Sequence, residues 1–130
     1  MIIDFETYTM DIARNNQIKH EHTSWLRLIE FFRQENALLK YRLSEMVDNS
    51  DDGQFLQTAE YFQNEFLLKD ESLKRLIKEL QDYSDIIKNK PALSPQLINK
   101  HNHLRNHILQ FEEKYTLLSK EFNVKMLQNY

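Results

Sequence analysis

"KNKPALSPQL", residues 88–97, decides how this chain is organised. Lys88 and Lys90 sit where a helix C-terminus favours positive charge. Pro91 has no amide hydrogen and stops the helix there. Ser94 followed by Pro95 then restarts one, with a hydroxyl N-cap and proline in the first helical position. Leu93 and Ile98 have the spacing of a hydrophobic staple across that cap. The stretch therefore reads as the end of one long helix, a tight connection and the start of another.

Upstream lies a second break, "DNSDDGQ", residues 48–54. Asp51 and Gln54 have capping-box spacing, which predicts a helix starting at about residue 52. Outside these breaks the chain has almost no turn residues. It holds one glycine, Gly53, and two prolines in 130 residues. A sheet protein needs many more, because its turns require special backbone angles. The expected class is all-α.

Between the breaks, apolar positions recur at alternating steps of three and four. The first stripe runs Ile18, His22, Trp25, Ile29, Phe32, Asn36, Leu39, Leu43, Met46. The second runs from Phe55 through Phe62, Phe66, Leu73, Leu80 and Tyr83 to Ile87. The third runs Leu97, His101, Leu104, Ile108, Phe111, Tyr115, Leu118, Phe122. This is the heptad rhythm of helices packed lengthwise, as in coiled coils. Helices over 17–47, 52–89 and 95–128, joined by short connections, must run up, down, up. The expectation is one domain, an antiparallel bundle of three long helices of matched length.

Residues 1–16 fit that scheme less simply. Phe5, Tyr8 and Ile12 have helical spacing and Asp4 could cap them, but their phase does not continue into Trp25. Asn15 and Asn16 offer a natural break, so a short N-terminal helix or arm is expected. The alternative is one bent helix over residues 4–47.

Composition narrows the function classes. The net charge is −3, with both signs mixed along the chain. That argues against a general nucleic-acid binder, which needs a basic face, and against an anionic membrane as partner. No run of about 18 apolar residues predicts membrane insertion. The N-terminal segment lacks the basic start, apolar stretch and cleavage site of a signal peptide. There is no cysteine, which suits a reducing cytoplasm and removes thiolate chemistry. A phosphate loop is impossible with one glycine, and no motif holds a serine as a nucleophile. No enzyme activity and no cofactor are expected, except through a metal.

The metal question arises from "HEH", residues 20–22, and "HNHLRNH", residues 101–107. His103 and His107 share one outer helix face, and His101 lies on the apolar stripe. Folding the bundle brings the two stretches to the same end. His22 and His101 would then meet Glu79 or Asp82, a ligand set that Zn²⁺ or non-haem iron accepts. The structural alternative is a pair of packed imidazoles satisfied by each other or by a carboxylate. Known bundle-metal spacings are missing: no Glu is followed three residues later by His. A phosphotransfer box fails too, because Thr23, Ser24 and Trp25 replace the basic residue, Thr and Pro that follow such a histidine.

More apolar residues are present than three stripes require. Phe31, Leu38, Leu117 and Val124 lie off the stripes, and such a surplus marks contact with another chain. The expected role is a small cytoplasmic interaction or adaptor protein that uses these positions. Its expected partner is a second copy, forming a homodimer, or another helical protein.

Overall fold

The computed structural model describes residues 5–90 and 92–127, with side chains from residue 11 onward. Three α-helices follow one another: α1, Phe5–Asp48; α2, Gly53–Ile87; and α3, Pro95–Phe122. A π-helical turn, Asn123–Leu127, extends α3. Among the described residues there is no strand. α2 packs against both α1 and α3, giving the up-down-up bundle.

The connections behave much as the sequence dictates. The Ser94 hydroxyl accepts a hydrogen bond from the Leu97 amide at 3.2 Å, and Pro95 opens α3. Leu93 and Ile98 are both half-buried against the core, as a staple should be. The cap of α2 differs by one residue from the expectation. Asp52, not Asp51, accepts from the Gln54 and Phe55 amides, at 3.0 and 3.5 Å. Asp51 is exposed. Adjacent acids compete for this role, and the backbone places the second one in extended conformation just before the helix.

A larger difference concerns the N-terminal arm. No break occurs at Asn15 and Asn16; α1 is one helix of 44 residues, about 66 Å long. Asn15 is buried, and Ile18 joins the core one turn later. Burial of that face outweighs the weak helix propensity of two asparagines. The helices are therefore not matched in length: α2 has 35 residues and α3 has 28. α1 runs past the others at its N-terminus, where residues 11–14 are exposed. The Asp4 cap and the side chains of Phe5 and Tyr8 lie outside the described residues.

Writing the buried rows as heptad positions a and d, every side chain of the first stripe is buried, including His22 and Asn36. In the second stripe Phe55 is only half-buried, and Lys69, which continues the spacing between Phe66 and Leu73, is a charged member. Lys69 is half-buried at the α2/α3 edge, a position that suits a side chain with an apolar stem and a charged tip. Aromatic rings fill the middle and lower core. Phe32 meets Phe111 and Tyr115, with centroids at 5.4 and 5.2 Å. Phe122 meets both Phe62 and Phe66, at 5.4 and 5.3 Å.

The π turn has a packing reason. Continued as α-helix, the rhythm after Leu118 and Phe122 would bring Lys125 inward. One extra residue in the turn rotates Met126 inward instead, where it is fully buried, and leaves Lys125 exposed.

Asn36 fixes the alignment of α1 on α2. Its Nδ2 donates to the Phe66 carbonyl at 3.0 Å and to Asp70 Oδ1 at 2.7 Å. Lys40, one turn on, pairs with the other oxygen of Asp70. A buried polar residue that bonds at only one alignment selects that register.

Candidate functional site

The two histidine-rich stretches meet at one end of the bundle. His22 comes from position a of α1 and His101 from position a of α3, and α2 contributes Tyr83. The Tyr83 ring lies 5.7 Å from His22 and 5.9 Å from His101, centroid to centroid. Trp25, one turn beyond His22, stacks on His101 with centroids at 4.5 Å and planes at 22°. The Tyr83 hydroxyl donates to the Leu97 carbonyl at 2.9 Å, tying α2 to the start of α3.

Both imidazoles are withdrawn from water, with His22 3 % and His101 1 % exposed. Their partners differ. His101 Nε2 lies 2.8 Å from Glu21 Oε1. The same carboxylate oxygen accepts from Arg105 Nε at 2.9 Å and from Arg105 Nη2. His101 Nδ1 and both ring nitrogens of His22 have no hydrogen-bond partner among the described residues. The Leu80 carbonyl lies close enough to favour a protonated His22 weakly, without hydrogen-bond geometry.

These surroundings set the protonation of the layer. Burial pushes the His22 pKa below the usual histidine value, and the neighbouring His101 pushes it the same way. Burial also lowers His101; the Glu21 carboxylate opposes this, while Arg105 adds to it. For Glu21, burial acts to raise the pKa, but its bonds to Arg105 and His101 together hold it below the ordinary glutamate value. Both imidazoles are therefore neutral at neutral pH, and Glu21 is ionised.

The carboxylates expected beside the two histidines are not the ones found. Glu79 turns toward α3 and meets His107 Nδ1 at 3.3 Å, on a half-exposed edge. Asp82 is exposed on the outer side of α2. Both sit at about the right height but on the wrong side of the helix. The carboxylate in the layer is Glu21, from α1. Among the described residues no group of three histidine or carboxylate side chains is arranged to hold a metal ion. The set His22, His101 and Glu79 or Asp82 is thus not assembled. His103 is exposed and does not join the layer.

The four interaction positions are all exposed: Phe31 57 %, Leu38 42 %, Leu117 62 % and Val124 56 %. They do not form one face. The Glu21 to Arg105 contact shows that position g of α1 faces position e of α3. Phe31 and Leu38, both at position c, therefore border the α1/α3 edge. The Glu79 to His107 contact shows that position g of α2 faces position g of α3. Leu117 and Val124, at c of α3, therefore border the α2/α3 edge.

That second edge carries two residues outside the four interaction positions. Tyr61 and Leu68 hold position c of α2 and are also exposed. Stepping along the antiparallel pair from the Phe62 to Phe122 and Glu79 to His107 contacts brings Tyr61 level with Val124. Leu68 comes level with Leu117. Their shared seven-residue spacing was the signal available in the sequence. Among the described residues, no helix is long and apolar enough to cross a membrane. Comparison with protein-family models, curated proteins and solved structures finds no match.

Proposed function

We propose that this chain is a small interaction module that associates with itself through the α2/α3 edge. The observation that carries this reading is the square of Tyr61, Leu68, Leu117 and Val124. Two exposed apolar residues on each of two antiparallel helices stand level, one heptad apart. Each gains by leaving water, at about 25 cal/mol per Å² of apolar surface covered. Phe31 and Leu38 offer a second, separate strip on the α1/α3 edge, suited to another helical protein. The chain acts here by recognition rather than catalysis, and we assign it no cofactor. The lack of cysteine supports a place in the cytoplasm.

Sedimentation equilibrium tests the proposal. The wild-type chain should show a concentration-dependent dimer, and Leu117→Glu combined with Leu68→Glu should give a monomer with unchanged helix content. A wild-type chain that stays monomeric at about 0.1–1 mM, where even a weak complex forms, would remove self-association. A dimer unaffected by both substitutions would move the interface to the Phe31 and Leu38 strip.

A further inference from the structure

The histidine layer plays no part in that surface, yet its construction is costly if it serves packing alone. Two imidazoles occupy core positions that leucine would fill without unsatisfied nitrogen atoms. We propose that the His22–His101 layer is a proton-operated latch, and that protonation of its imidazoles releases α1 from the end of the bundle formed by α2 and α3.

The charges facing the layer make the case. On α1, Glu21 is the one carboxylate bonded to the layer, and its charge is already matched by Arg105 of α3. From α2, the layer meets the Tyr83 ring, whose hydroxyl proton is committed to Leu97, and the Leu80 carbonyl. The other α2 carboxylates at this end do not help: Glu79 is drawn to His107 and Asp82 faces solvent. The exposed His20 and the half-buried Lys19, whose ammonium bonds the Lys90 carbonyl, bring no negative charge. A proton taken from water onto His22 is therefore an added positive charge with no anion to receive it. A second, on His101, gives two imidazoliums beside Arg105 with one carboxylate among three cations.

Water is what such a layer needs, and separation of the helices supplies it. Both rings lie where α1 joins the other two helices, so hydration requires α1 to move away. Opening would uncover Trp25, Leu80, Tyr83 and Leu104, all buried in the closed bundle. The latch would thus turn a fall in pH into new apolar surface.

The chain carries its own reporter. Trp25 is its one tryptophan and stacks on His101. Urea unfolding followed by tryptophan emission, at about pH 7.5 and about pH 5, gives the test. The wild-type midpoint should fall by about 0.5 M urea or more on acidification, and His22→Leu should lose most of that fall. In parallel, NMR titration of the wild-type imidazoles should show two rings, those of His22 and His101, protonating below the ordinary value of 6.5. The titration decides the matter if the variant does not fold. Equal midpoints at both pH values, a full pH effect in His22→Leu, or His22 and His101 protonating at or above the ordinary value would each overturn the latch.

Discussion

Replacing Asn36 by alanine isolates what one buried amide contributes. The wild-type Nδ2 makes two bonds across the α1/α2 interface, one to a charged acceptor, Asp70, and one to the Phe66 carbonyl. A bond to a charged group contributes about 1.5–3 kcal/mol and a neutral one about 0.5–1.5 kcal/mol. Two effects act against this sum. Asn36 Oδ1 is buried without a partner, so its removal returns about 1–2 kcal/mol. Asp70 keeps Lys40, and both are partly exposed, so the carboxylate is not left stranded. The small void left by alanine adds a further loss of about 1 kcal/mol. The net expectation is a loss of about 2 kcal/mol, or about 1 M in urea midpoint at a typical slope. Asn36→Leu fills the void and removes the orphan oxygen, so it should fall within about 1 kcal/mol of wild type. Equilibrium urea unfolding by circular dichroism measures both. If alanine costs less than about 0.5 kcal/mol, the bond to Asp70 contributes nothing and the register argument fails. If leucine costs as much as alanine, the amide contributes far more than this accounting allows.

Two other outcomes follow from the core and the caps. Leu80→Ala, at a fully buried position beneath the histidine layer, should cost about 3–4 kcal/mol by thermal or urea unfolding. A loss under about 1 kcal/mol would mean this end of the bundle is loosely packed. Asp52→Ala should cost about 1 kcal/mol while Asp51→Ala is near neutral, and the reverse order would return the cap of α2 to Asp51.

Much of this architecture is legible in the residues. The stripes and the restart at Ser94 rest on local chemistry and appear at the expected place, while α2 stops at Ile87, two residues short of the expected end at 89. What failed to read through depends on competition between neighbours. Asp51 and Asp52 are chemically alike, so only backbone conformation chooses between them. The break at Asn15 was a propensity argument, and burial of Asn15 against the bundle overrode it. For the histidine layer, height along the bundle was readable but rotation about each helix was not. Glu79 and Asp82 stand near the right height and turn elsewhere. Glu21 was nonetheless findable. It lies at position g of α1 and Arg105 lies at position e of α3, a pairing that parallel neighbouring helices favour. Applying that rule to "HEH" selects the middle residue as the partner of α3.

The π turn at Asn123–Leu127 has a consequence for how this sequence can change. In a regular helix, inserting or deleting one residue swings everything downstream by about 100° and turns the core face outward. Here the surplus residue is held in a single widened turn, with Phe122 just before it and Met126 within it both buried. Loss of one residue from this turn would convert it to ordinary α-helix and leave Met126 facing the core. The turn is thus a slack link in an otherwise taut chain, the place where its length can vary by one without the bundle having to be rebuilt.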